Sequence, residues 1–313
     1  MKILLEIMDR RNFSKLILSS SLVGFFPNAN FPSILESINS LKISLAQWSL
    51  NKSIKSGKLS PLDFAKKARS FGIDAIEHVS TLYTRHSDVT KKMSMDKLAK
   101  ELVIRADDFG IENFLIMIDG QGNLASSNRP SRLSAIDKHK RWIDFALSIG
   151  CKTLRLNLNG SKRLDKWTSN SIKSLFTLSH YNKNINIVVE NHGGFSSNGK
   201  YLANVMSNVN LSNCGTLPDF GNFCLDGWPS NCADWYDKYT GMEELMPHAL
   251  AVSAKSYHFD SIGNETTIDF SRMIDIVKKA RYSGYIGIEY EGEVLSEDEG
   301  IIATKQLLEK LIK

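Results

Sequence analysis

From Leu41 onward one pattern recurs along the chain: a short apolar run, a polar loop, then a longer stretch with apolar residues at helical spacing. The apolar runs predict strands at Ile43–Ala46, Ala75–Glu77, Phe114–Ile118, Thr153–Leu156, Ile185–Glu190, Gly215–Pro218, Ala249–Lys255 and Tyr285–Tyr290. Between the first two, "SPLDFAKKARSFG" predicts a helix, with Ser60 as cap, Pro61 at the first helical position and Gly72 at the end. The stretches 95–110, 132–150 and 269–284 are periodic in the same way and also end in glycine, as helices often do. Strand starts return every ~30–40 residues, the rhythm of repeated βα units. The pattern therefore predicts an α/β fold, a single (β/α)8 TIM barrel over residues 41–313. No G-x-G-x-x-G follows the first strand, which disfavours a dinucleotide-binding sheet, and no interdomain linker interrupts the pattern.

With 313 residues, 42% of them hydrophobic, the chain can bury a core without metal or disulfide staples. The formal charge is +5, of which residues 1–31 supply +2. No block of like charge stands out, so a nucleic-acid groove is not indicated.

Residues 1–31 read as an address ahead of the barrel. Arg10 and Arg11, then Phe13, then Lys15, precede a short apolar run from Leu16 to Phe26. That order resembles a twin-arginine export signal, with Pro27–Phe31 as a loose cleavage site and Met8 as an alternative start. The run is too short to span a bilayer permanently, for which about 20 apolar residues are needed. The expectation is a periplasmic protein with no stable membrane association after export. Cys151, Cys214, Cys224 and Cys232 contain no C-x-x-C pair, so a structural zinc is disfavoured. In an oxidising compartment Cys224 and Cys232 could close a short loop, leaving the others as free thiols.

The chemistry is concentrated where the strands end. A parallel barrel strand is buried on both faces, so a polar residue in it needs a reason, and the C-terminal strand ends of such barrels surround the active site. Strand five ends "VVENHGG", giving Glu190 and His192; strand six runs into Asp219 and Asn222. Strand seven carries Ser253 and Lys255, with His258 beyond it, and strand eight carries Glu289 and Glu291. Gln47, Glu77 and Arg155 stand at strands one, two and four. Convergent carboxylates at Glu190, Asp219 and Glu289 repel unless a positive charge lies between them, and a divalent cation or Lys255 can supply it.

From about Leu41 to the end the chain resembles the sugar isomerase/epimerase superfamily with the xylose isomerase-like TIM barrel. The resemblance implies Glu190, Asp219 and Glu289 as ligands of one divalent metal, and Glu190 and Glu289 as the pair that moves a proton beside a carbonyl. Two departures are visible. Ser253-Ala-Lys255 stands where strand seven of the family shows His-x-Lys, and Asp219-x-x-Asn222 replaces an Asp-x-x-His. His192, His258 or a water on Ser253 are the candidates for the missing ligand. An all-oxygen site prefers Mn²⁺ or Mg²⁺, with Co²⁺ or Zn²⁺ as alternatives.

The expected activity is isomerisation or epimerisation of an unphosphorylated sugar, since sugar phosphates are kept in the cytoplasm. A lyase or dehydratase acting on a 3-keto-glycoside would use the same enediolate chemistry. Lys255 joins the two glutamates as a candidate catalytic group. Gln47, Glu77, Arg155, His192, Asn222 and His258 are the candidate substrate-binding residues. Trp48, Trp228 and Tyr257 could stack on a sugar ring or pack in the rim, while Glu291 is expected to face the helices or solvent. A homo-oligomer formed through helical faces is compatible with the sequence. A non-catalytic sugar-binding barrel and an endonuclease IV-type repair enzyme are the competing classes. The first is opposed by the retained glutamates, the second by the scarcity of strand-end histidines.

Overall fold

The computed structural model describes residues 41–227 and 231–313. The export-type segment and Trp228 lie outside the described residues. The eight strands are β1 (Leu41–Ala46), β2 (Ala75–Val79), β3 (Glu112–Met117), β4 (Thr153–Leu156), β5 (Asn186–Glu190), β6 (Cys214–Leu217), β7 (Val252–Ser256) and β8 (Gly284–Tyr290). They form one parallel sheet in the order β6-β5-β4-β3-β2-β1-β8-β7. At the remaining seam, the Leu250 N–H donates to Thr216 O at 3.0 Å and the Ser253 N–H to Pro218 O at 2.9 Å, so β6 and β7 meet and the barrel closes.

Each strand is followed by a helix of seven or more residues, and single five-residue turns of helix at Asn51–Lys55 and Ser80–Thr84 come before the first two of them. The longer helices are α1 (Phe64–Ser70), α2 (Met95–Phe109), α3 (Arg129–Ser148), α4 (Leu164–Tyr181), α5 (Gly199–Val209), α6 (Lys238–Leu245), α7 (Phe270–Lys279) and α8 (Glu297–Ile312). Their starts are chemically marked. Side chains of Ser94, Asn128, Asn198, Asp237, Asp269 and Ser296 accept a first-turn N–H, and Ser296 with Glu299 forms a full capping box. Helix α2 ends at Gly110 in the left-handed conformation. Ser60 does accept from the Leu62 N–H, but Pro61–Asp63 forms a 3-10 turn before α1 begins. Helix α3 starts three residues ahead of the expected Arg132, because Asn128 caps it and Pro130 fits its first turn. No helix among the described residues is long and apolar enough to cross a membrane.

The barrel interior is not wholly apolar. Glu77 on β2 is 1% exposed, and its Oε1 accepts from Ser44 Oγ at 2.6 Å. Gly287 on β8 makes that possible: a Cβ there would come within 2.3 Å of Glu77 Oε1. Its neighbour His78 is buried too, with Nδ1 2.7 Å from the Tyr83 hydroxyl and Nε2 2.8 Å from Asn113 Oδ1.

Candidate active site

At the C-terminal ends of the strands the barrel opens into a cavity of about 1510 Å³, whose lining includes Arg155, His192, Asn222, Lys255, Glu289 and Glu291. Glu190 and Asp219 form the buried floor next to it, at 1% and 0% exposure. The turn after β5 follows from Gly193 and Gly194, whose φ values of 85° and 59° fall in the left-handed region that favours glycine. Two serines hold that turn: His192 N–H donates to Ser196 Oγ at 3.2 Å, and Gly193 N–H to Ser197 Oγ at 2.7 Å.

Every carboxylate on the floor is aimed by its neighbours. Glu190 Oε1 accepts from Asn222 Nδ2 at 2.8 Å, and its Oε2 pairs with Arg155 Nε at 2.8 Å as an ion pair without hydrogen-bond alignment. Arg155 is anchored in turn, donating from Nη1 to Asp119 Oδ1 at 2.7 Å. Asp219 Oδ1 accepts the N–H groups of Gly221 and Asn222, both at 2.8 Å, and its Oδ2 accepts from Ser253 Oγ at 2.6 Å. Asn191 fixes the backbone beneath, accepting from the Asp219 N–H at 2.7 Å and donating to Asp219 O at 3.0 Å. Lys255 Nζ donates to Glu289 Oε1 at 2.6 Å and Glu291 Oε1 at 2.9 Å, and lies 3.8 Å from Asp219 Oδ2.

The charges explain why these groups keep company. Burial works against the Lys255 ammonium, but Asp219, Glu289 and Glu291 outweigh it and hold the amine charged. Burial raises Asp219 to about 6 and Glu289 to about 8; Lys255 opposes the rise in each case, while the neighbouring carboxylates add to it. Asp119 is also buried, yet Arg155 holds it below the usual carboxylate range. Five acidic groups, Glu190, Asp219, Glu289, Glu291 and Asp119, thus crowd around two cations, Arg155 and Lys255.

That crowding and the donor geometry fit a divalent cation. Glu190, Asp219 and Glu289 each offer an oxygen, and these oxygens lie within 4.8 Å of one another. Hard carboxylate oxygens at this spacing suit a metal that accepts oxygen ligands at about 2.0–2.6 Å after a small contraction. Neither His192 nor His258 joins that group. His192 lines the cavity wall with its imidazole pushed by burial toward the neutral form, and His258 lies exposed on the rim. The strand-seven position of the missing imidazole is filled by the Ser253 hydroxyl, already committed to Asp219.

The structure brings together Glu190, Asp219, Asn222, Lys255 and Glu289, with Arg155 and His192 beside them. It does not bring in Gln47 or Glu77. The Gln47 carboxamide accepts from the Val79 N–H at 2.9 Å and donates to the Tyr83 hydroxyl at 2.9 Å, so it joins β1 to β2 and does not line the cavity. Glu77 points into the barrel core below the cavity. Glu291 corrects the expectation of a helix- or solvent-facing side chain. Strand side chains alternate, so Glu291 shares the inward face of Glu289 and meets Lys255. Trp48 lines the cavity with Lys55 Nζ 4.1 Å above its ring, and its N–H helps hold Glu291 ionised. Tyr257 lines it as well, and its buried hydroxyl has no hydrogen-bond partner. Asp119, two residues beyond β3, and Asn157, directly after β4, join the site without a mark in the strand pattern; Asn157 donates to Asp119 at 2.9 Å. Cys224 and Cys232 form a disulfide, and Cys151 and Cys214 are free thiols.

A family profile described as a xylose isomerase-like TIM barrel matches residues 65–311. Among solved structures, a D-tagatose 3-epimerase-like protein is similar at TM-score 0.65 and 18% identity, over 87% of this chain and 97% of that one. The 3-keto-D-glucoside 4-epimerase from E. coli aligns at TM-score 0.63 and 11% identity, over 87% and 99%. The IOLI protein, with a bound zinc atom, aligns at TM-score 0.64 and 15% identity, over 87% and 98%. At these identities the likeness speaks for the fold. No curated protein matches the chain by sequence.

Proposed function

The chain belongs to the xylose isomerase-like TIM-barrel family, and from that premise we propose that it is a sugar isomerase or epimerase. The observation that carries the reading is the convergence of Glu190, Asp219 and Glu289 at the floor of an open cavity, with Lys255 charged beside them. A divalent metal held by those three carboxylates would polarise a substrate carbonyl and stabilise the negative charge that develops on its oxygen. Glu190 and Glu289 serve as acid and base. One accepts the proton from the carbon beside the carbonyl, and the other returns a proton to the resulting enediolate. Arg155 and Asn222 fix the direction of Glu190, and Lys255 ties Glu289 to Glu291. His192, on the wall, is placed to contact substrate hydroxyls.

The substrate is an unphosphorylated sugar, and the location is the periplasm. Supporting this are the Arg10-Arg11-x-Phe13-x-Lys15 pattern and the Cys224–Cys232 disulfide, which suits an oxidising compartment. A second reading, elimination from a keto-glycoside, starts with the same proton removal and is favoured by a cavity roomier than a single sugar ring needs. Incubation with unphosphorylated aldoses, ketoses and 3-keto-glycosides in D2O, followed by proton NMR, tests the proposal. The expected result is exchange of one carbon-bound proton, abolished in Glu190→Gln and Glu289→Gln; an additional loss of the aglycone identifies elimination. No exchange with any of these sugars overturns the reading.

A further inference from the structure

The cavity exceeds the roughly 300–1,000 Å³ of ordinary small-molecule sites, and a monosaccharide over the carboxylates fills only part of its 1510 Å³. Part of the remaining wall comes from the loop after β6. Leu225, Asp226, Gly227 and Trp235 all line it.

This part of the loop is held firmly. Cys224 and Trp235 pair as an antiparallel bridge, Leu225 N–H donates to Asp234 O at 2.8 Å, and Tyr236 N–H donates to Phe223 O at 2.9 Å. The Cys224–Cys232 disulfide ties the two sides together. Asp226 Oδ1 accepts the N–H groups of Ala233 and Asp234, at 3.2 and 3.1 Å. The backbone at Trp235 is thus fixed in place, and the residue remains 46% exposed.

Among the described residues, the other indoles of the cavity are already engaged. Lys55 covers the Trp48 ring, while Trp167 is 2% exposed and donates its N–H to Leu158 O at 2.8 Å. Trp235 presents a flat apolar ring, with the Asp226 and Lys238 side chains lining the same cavity. Such a surface matches a pyranose, which is apolar on its C–H face and polar around its edge.

We propose that Trp235, with Leu225 and Asp226 beside it, forms a second sugar subsite, so that the substrate is a glycoside of at least two rings. The inference rests on the sugar-acting reading above and names the substrate class of that site.

Isothermal titration with hexoses, pentoses and the disaccharides built from them tests it, using the intact chain and its Trp235→Ala and Trp235→Phe variants. At least one disaccharide is expected to bind about tenfold more tightly than its component sugars. Trp235→Ala should remove that advantage, leaving monosaccharide affinity within about twofold, and Trp235→Phe should restore part of it. Thermal denaturation of the variants confirms that they fold. Monosaccharides binding as tightly as every disaccharide, or an unchanged disaccharide affinity in Trp235→Ala, overturns this inference alone. No binding of any sugar overturns the sugar-acting reading, and the second subsite falls with it.

Discussion

Replacing Glu77 with Gln isolates the cost of keeping a carboxyl group in the barrel core. Glu77 is 1% exposed; one oxygen accepts from Ser44, and Oε2 has no hydrogen-bond partner. Burial raises it from 4.5 to about 7; the Ser44 hydrogen bond opposes the rise and the Glu190 charge adds to it. Between those two values the unfolded chain releases the proton while the folded protein keeps it, so stability falls as pH rises. The full interval, at about 1.36 kcal/mol per pH unit, is worth about 3 kcal/mol, most of which falls between pH 5 and pH 8. Glutamine keeps an oxygen toward Ser44 and cannot ionise. Urea unfolding of both proteins at pH 5 and pH 8 should therefore show the wild type losing about 2–3 kcal/mol more than Glu77→Gln. All other titrations are shared and cancel in the comparison. Parallel losses would mean that Glu77 is ionised in the folded protein, and the reasoning about its burial would be wrong.

Lys255→Met leaves Glu289 and Glu291 without their ammonium partner; breaking a buried pair costs about 3–5 kcal/mol, to be read from urea midpoints. Asn222→Ala frees Glu190 Oε1, and deuterium exchange into a processed sugar should slow by about tenfold or more while folding is kept. His78, held by burial at about 4 against 6.5 when unfolded, stays neutral in the folded protein while the unfolded chain protonates. Stability attributable to it is thus lost as pH falls from 6.5 toward 4, and NMR titration should show its ring neutral at pH 5.5, where a protonated ring would contradict the burial.

The barrel was legible because its strands are buried on both faces and read as apolar runs, and because helical stretches between them close on Gly72, Gly110, Gly150 and Gly284. The carboxylate floor was legible for the same reason: an acid closing an apolar run is costly without a function. What escaped depends on contacts across elements. Gln47 has the look of a strand-end ligand group, but whether its carboxamide meets substrate or the Val79 backbone is decided by where β2 lies. Glu291 lies one residue past the apolar run that ends at Tyr290, yet the two-residue strand period carries it to the inward face of Glu289, where it meets Lys255. Trp235 sits in an aperiodic loop, and only the disulfide and the pairing with Cys224 bring it to the cavity. The replacement of the strand-seven imidazole by Ser253 was visible at once, but its hydrogen bond to Asp219 needed coordinates.

The central claim is that Glu190, Asp219 and Glu289 form a site for one divalent cation. It is tested most directly by the metal content of the purified protein after incubation with Mn²⁺ or Mg²⁺ and removal of the excess, measured by elemental mass spectrometry. Close to one ion per chain is expected, falling sharply in Glu190→Gln and Asp219→Asn. A protein that retains no metal under these conditions, or equal metal in both variants, would contradict it and leave Lys255 as the charge that holds the carboxylates together.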